Sequence, residues 1–369
     1  QAEDGIRDKQ ICLVGSEMCI RDRPYSAPPI GANGRSGFTG DAAGSFSRSN
    51  FAAYIDMEYD FSDDTMIQLA ARVENFEDFG ATTDGKVAFR HNFSDNFTFR
   101  AAASTGFRAP TPGQSNVTSI VTTFDGATGL QEQQGTVRPT DPLAVSLGGK
   151  ALEPEEAQSI SIGFTANPTD EWTITFDLYD VDVDDRIVKT QDIPIVNPLF
   201  TRLSFYTNGL NTETQGFDLV ALYEKEWDGG SNTDFSFAWN HNKTDVVGQN
   251  QVNGINPVSA GNIFNIENNL PEDRVSMTAR HYSGNFTTTV RANWYGETID
   301  ERNNREPVDS AMFVDFAVAY QMNENYTFTL GANNVFDEYP NEITTRLGNG
   351  LAYPRRTPMG YDGGMWYLR

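Results

Sequence analysis

Few side chains in this sequence belong to catalytic types, and none is spaced for catalysis. His91, His241 and His281 stand far apart, and no Gly-x-Ser-x-Gly, Walker or His-Glu-x-x-His segment occurs. No nucleophile–base pair can be nominated. Two other groups could do chemistry. Asp180, Asp182 and Asp184 fall on alternate positions, so on an extended chain they share a face and could ligate a divalent cation. That row lacks the glycine and closing glutamate of a calcium loop, and a hydrated strand end is the preferred reading. Arg72, Arg90, Arg100, Arg280 and Arg291 alternate with apolar residues. They form a polar row that either steers an anionic ligand or is simply hydrated.

The elements that must position these groups read as strands of roughly 9–13 residues with period-two alternation. Tyr326, Phe328, Leu330 and Ala332 share one face against Thr327, Thr329, Gly331 and Asn333. Val314, Phe316, Val318 and Tyr320 oppose Asp315, Ala317 and Ala319; Trp172, Ile174, Phe176 and Leu178 oppose Thr173, Thr175 and Asp177. Thirteen such segments start near residues 49, 65, 84, 97, 156, 171, 213, 232, 272, 285, 311, 325 and 359. Short polar turns such as Ser62-Asp63-Asp64, Ser94-Asp95-Asn96 and Asp228-Gly229-Gly230 alternate with longer connections at 108–154, 186–211, 246–271, 297–310 and 337–357. Short connections at one end and long ones at the other are the signature of an outer-membrane barrel. The apolar face then meets lipid, the polar face lines a wet lumen, and Phe97, Trp172, Trp227, Phe286 and Tyr326 form an aromatic girdle beside the short turns. The polarity reversal at Asp180 falls where a tilted strand of ~9–11 residues leaves the bilayer.

Composition agrees. The chain has 27 Lys and Arg against 51 Asp and Glu, a formal charge of −24. That balance lacks the cationic surface a nucleic-acid binder needs. Two Cys and three His leave little for a His/Cys metal site, and no cofactor is indicated. Mean hydropathy is −0.48, with no apolar run of ~18 residues, yet aromatics reach 12% beside 32 Gly.

Residues 1–23 stand apart. They have no uninterrupted apolar core like a secretory leader's, and QAEDGIRD and SEMCIRD resemble the translation of sequencing-library adapters. The expectation is that residues 1–23 are an adapter-derived, disordered artefact and that 24–47 are a remnant of an extracellular loop. Cys12 and Cys19 both lie inside the adapter-like stretch, so residues 24–369 contain no cysteine; they carry 23 Lys and Arg against 46 Asp and Glu.

Four segments carry a family resemblance. Ser104-Thr-Gly-Phe-Arg-Ala-Pro-Thr111, Leu152-Glu-Pro-Glu-Glu156 followed by Ser161-Ile-Gly-Phe164, Thr212-Glu-Thr-Gln-Gly-Phe-Asp-Leu219, and Gly331-Ala-Asn-Asn-Val-Phe-Asp337 with Tyr339 resemble, in order and spacing, segments of TonB-dependent outer-membrane receptors. The resemblance covers nearly all of 48–369. It implies an all-β transmembrane antiparallel barrel, here about thirteen strands of an expected 22, with the plug domain and TonB box absent. It further implies active transport across the bacterial outer membrane of a scarce large substrate of the siderophore, cobalamin or oligosaccharide class. The implied partners are outer-membrane lipid and the TonB complex, the latter through the missing N-terminal region, and the inward arginines would meet plug carboxylates. A passive porin or structural barrel is the alternative. The final Trp366, Tyr367 and Arg369 depart from the usual terminal aromatic, suggesting a truncated last strand. Residues 48–369 on their own are expected to form a curved, unclosed sheet with strand 49–60 at a free edge.

Overall fold

The computed structural model describes residues 11–13, 16–25, 44–124, 131–197, 200–300, 304–344, 352–354, 357–358 and 360–369. In chain order the elements begin with β1 (Ile11–Leu13), β2 (Ser16–Tyr25), β3 (Gly44–Ser62), β4 (Thr65–Phe76), β5 (Gly80–Ser94) and β6 (Phe97–Arg108). The first long connection holds α1 (Pro112–Asn116), β7 (Ser119–Phe124), β8 (Gln131–Thr136) and α2 (Pro142–Ser146). Then come β9 (Glu155–Ala166), β10 (Trp172–Lys189), β11 (Ile193–Pro194), β12 (Arg202–Ser204), β13 (Tyr206–Trp227), β14 (Ser231–Gln249) and α3 (Ala260–Asn268). The chain closes with β15 (Asp273–Ser283), β16 (Phe286–Tyr295), β17 (Thr298–Ile299), β18 (Pro307–Val308), β19 (Ala311–Gln321), β20 (Thr327–Asn333) and β21 (Met365–Leu368).

One antiparallel sheet dominates, in the order β1-β2-β3-β4-β5-β6-β9-β10-β13-β14-β15-β16-β19-β20-β21. The thirteen expected strands are all in it, each paired with its neighbours in sequence, as a partial barrel. Among the described residues no pairing joins β1 to β21. Short turns close where expected. Ser62 and Ser94 each end a strand and accept the N–H of the residue two further on, at 3.3 Å in both cases.

Several expectations are corrected. In the full chain the strand at 49–60 has a neighbour from outside 48–369: β2 runs along β3 from Ser16 opposite Ala53 to Tyr25 opposite Gly44. Residues 16–25 therefore lie in the sheet, and the expected loop at 24–47 is a strand at both ends, with 26–43 outside the described residues. The unpaired N–H and C=O groups of a 19-residue edge strand are a template that an adjacent extended segment satisfies. Strands are also longer than expected: β10 has 18 residues and β13 has 22, because they continue past the apolar band. The last strand begins at Met365 rather than near 359. Residues 1–10 and 14–15 of the adapter-like stretch lie outside the described residues.

The register separates two faces. Phe99, Phe164, Phe176, Leu219, Trp239, Val275, Trp294 and Met312 stand opposite one another across eight strands. Rings step between them: Phe97–Phe164 and Phe164–Phe176 centroids lie 5.7 Å apart, and Phe217–Trp239 lies at 4.8 Å. Among the described residues nothing covers this face; Phe61 is 69% exposed and Phe93 66%. On the opposite face Arg100, Gly163, Asp177, Asp218, Asn240 and Arg274 form the adjoining row. A sheet normally buries its apolar face against a second layer, and among the described residues this wall has none.

Close approaches lock the register on the polar face. Tyr179 is paired with Gly216, and its hydroxyl accepts the amide of Asn242 at 2.9 Å. A Cβ on Gly216 would overlap the Tyr179 phenol and the His241 carbonyl. Gly216→Val is expected to destabilise the sheet by about 1–3 kcal/mol through overpacking, measured by urea unfolding in detergent.

Candidate ligand-facing wall and loop cap

All five candidate arginines lie on the polar face, but not as a continuous row of free cations. Arg72 pairs with Glu74 and stands opposite Asp84. Arg100 makes a two-pronged contact to Asp177, its Nε donating at 2.8 Å and its Nη2 to the other oxygen. Arg280 is opposite Asp234, and Arg291 opposite Asp315. Arg90 faces Arg100 across the β5–β6 pair. The wall itself sets a carboxylate directly opposite three of the five and reaches Arg100 with a fourth from two strands away, so opposite charges sit across strands where they support the pairing.

Three of the four family-like segments build joints at the long-loop end. Glu155 is 5% exposed and takes both the Arg108 guanidinium and, at 2.7 Å, the Ile187 N–H. Asn208 clamps Glu153 from both sides, accepting its N–H at 2.9 Å and donating to its carbonyl at 2.8 Å, and also donates to the Asp185 carbonyl. Asn334 and Asp337 take the left-handed conformation, with φ 48° and 56°, tolerable for these short polar side chains. Asn334 bonds both backbone groups of Glu338, and Asp337 accepts the Gly364 N–H at 2.7 Å. The Tyr339 hydroxyl is raised above its ordinary pKa by its hydrogen bond to Asp337.

The long connections hold a structure that alternation could not announce. β7 and β8 from the first, with β11 and β12 from the second, make a four-stranded sheet in the order β11-β12-β8-β7, with β12 parallel to β8. Its core is Val137, Ala144, Ile193, Phe200, Leu203 and Phe205, joined by Val252 from a third connection. Leu203 and Phe205 are fully buried. The fit is tight: a Cβ on Gly135 would lie 2.8 Å from the Phe200 ring. The only hint in the sequence was unusual connection length, which marks functional loops as a class.

The acidic row resolves at the end of the apolar band. Asp180, Asp182 and Glu213 bring carboxylate oxygens within 4.8 Å of one another, on the face that carries Leu178 and Phe217 lower down. Gln215 donates to Asp180 at 3.1 Å. The histidines take local partners: His91 and His281 each hydrogen-bond a facing threonine at 2.8 Å, and His241 contacts Asp273 at 3.0 Å.

A single antiparallel layer, apolar on one face and polar on the other, with short turns at one end and long structured loops at the other, is the wall of a membrane-type β-barrel. The chain belongs to the TonB dependent receptor-like, beta-barrel family, whose model matches residues 16–335. That family consists of outer-membrane receptors and transporters, not enzymes. Among solved structures, the ferric enterobactin receptor of Pseudomonas aeruginosa superposes with a TM-score of 0.65 at 12% identity, over 96% of this chain and 49% of that one. The siderophore receptor PirA of Acinetobacter baumannii gives 0.61 at 14%, over 96% and 50%. The ferripyoverdine receptor of the outer membrane of Pseudomonas aeruginosa gives 0.51 at 15%, over 81% and 36%. These likenesses show the fold, and the chain spans about half the length of the first two receptors. No curated protein matches the sequence.

Leu203→Ala is expected to loosen the cap by about 2–5 kcal/mol. Limited proteolysis should then cut within 119–136 and 193–205 while the wall strands stay protected.

Proposed function

We propose that this chain is the distal part of a TonB-dependent receptor that moves a scarce, large substrate across the bacterial outer membrane. The siderophore, cobalamin and oligosaccharide classes fit this reading. The observation that carries it is the uncovered apolar face, set back to back with a charged, hydrogen-bonded face in one layer. Outer-membrane lipid is the solvent that such a face requires. The cap end would then look outward from the cell and the serine-ended turns toward the periplasm. Energy would come from the TonB complex engaging a part of the receptor outside this chain. The siderophore receptors with the same fold favour the siderophore class. Residues 1–23 are read as adapter-derived, on the two encoded adapter-like stretches; sequencing the gene from uncut genomic DNA tests this.

Two measurements address the rest. Phe237 and Ala238 are neighbours on opposite faces of β14. In phospholipid vesicles, Phe237→Arg should cost about 2–4 kcal/mol if that face meets lipid near mid-bilayer, against about 0.5 kcal/mol or less for Ala238→Arg. Equal costs would sink the orientation. Uptake by cells expressing the whole receptor should stop when the proton gradient is collapsed; undiminished flux would favour a passive porin.

A further inference from the structure

The apolar face of the wall is not evenly studded. One cross-strand row runs Met57, Leu69, Val87, Ala103, Ile160 and Asp180, each opposite the next from β3 to β10. Beside it, toward the long-loop end, Ala71 and Gly85 stand opposite each other. With Ala103 they set three of the smallest residues among larger apolar ones, and the result is an open groove of about 580 Å3. Its walls stand clear of the sheet: Val87 is 54% exposed and Ile160 59%. Six strands spaced ~4.8 Å apart make the row roughly 24 Å long, enough for a fatty acyl chain.

Charge at one end decides what such a groove takes. Asp180 and Asp182 line it, and Asp180 also lines the adjoining hollow of about 540 Å3 that reaches Glu213, Gln215 and Lys243. Among the described residues none of Asp180, Asp182 and Glu213 is paired with a cation. Lys243 is bound to Asp245, and Gln215 donates to Asp180 and Glu213 only as a neutral amide. Three carboxylates this close repel one another, and an opposite charge relieves them. Their oxygens lie within 4.8 Å of one another, so a group midway between them is about 2.8 Å from each, the length of a charge-assisted N–H···O bond. A primary ammonium has three N–H donors, one for each carboxylate. A quaternary ammonium has none, and a phosphate alone is repelled. Leu178 gives way to Asp180 on one strand, so the carboxylates stand where the apolar band ends and the groove lies within reach of it. One molecule that suits both parts has an acyl chain and an ammonium head.

We propose that the groove over Ala71, Gly85 and Ala103 seats an acyl chain of a membrane lipid whose primary-ammonium headgroup is held by Asp180, Asp182 and Glu213. It rests on the reading that this face meets lipid, and it names the kind of lipid. The test is calorimetric titration of the full chain in detergent micelles with phosphatidylethanolamine, phosphatidylcholine, phosphatidylglycerol and free ethanolamine, without calcium. Phosphatidylethanolamine should bind at least tenfold more tightly than the others, which lack the N–H donors, the cation and the acyl chains in turn. Joint replacement by Asp180→Asn and Glu213→Gln should abolish that preference. Gly85→Leu should fill the groove and weaken phosphatidylethanolamine at least tenfold; a Cβ there meets its nearest neighbour at an ordinary 3.7 Å. Protease resistance of the wall strands checks that each variant keeps its fold. Equal binding of the ethanolamine and choline lipids, free ethanolamine binding as tightly as the lipid, or wild-type preference in the folded double variant would overturn the site. So would phosphatidylglycerol binding that appears only with added calcium and without an ethanolamine preference, which would mark a metal site. If Phe237→Arg and Ala238→Arg cost the same in vesicles while the preference holds, the membrane orientation falls and the headgroup site stands. Unequal costs without the preference do the reverse.

Discussion

A sheet with no second layer is held by its backbone ladder, and everything else in this chain depends on keeping that ladder continuous. From β3 to β20 each wall strand finds both neighbours, so its N–H and C=O groups are satisfied within the layer. Cross-strand rings such as Phe164–Phe176 and Trp172–Tyr223, the latter stacked at 4.6 Å, add side-chain cohesion on the apolar face. Paired charges such as Arg100–Asp177 do so on the other. The ladder also explains why β3 accepts β2: an edge strand 19 residues long leaves its hydrogen-bonding groups open, and pairing closes them.

The cap obeys the opposite rule. Its segments cannot rely on a continuous ladder, so they hide Leu203, Phe205 and Val137 from water in a core of their own. Between the two regimes sit polar joints: Glu155 under Arg108 and Ile187, Asn208 across Glu153 and Asp185. The first ties three wall strands together near their loop ends, and the second ties the loop residue Glu153 to β10 and β13. Where the layer leaves its apolar band, Asp180 and Asp182 replace Leu178 on the outer face with no break in pairing.

The arginines show how tertiary placement alters a reasonable expectation. Alternation put Arg72, Arg100, Arg280 and Arg291 on the polar face, and the register agrees. What alternation could not supply was the residue across the ladder. Asp177 is 77 positions from Arg100 in sequence, and only the order β6-β9-β10 brings them together. A wall whose cations are mostly matched leaves little positive field for an anion.

The thirteen wall strands from β3 to β21, the two faces, the short turns and the family were legible in the sequence, because a period of two and a turn after each strand are local consequences of backbone geometry. The hydroxyl caps at Ser62 and Ser94 and the left-handed positions at Asn334 and Asp337 belong to the same local chemistry. The cap and the joints around Glu155 and Asn208 were decided only by the tertiary structure. Their members come from separate connections, as Val137 and Val252 do. No periodicity links such positions; what joins them is the burial of Leu203 and Phe205, and burial depends on where the whole wall carries its loops.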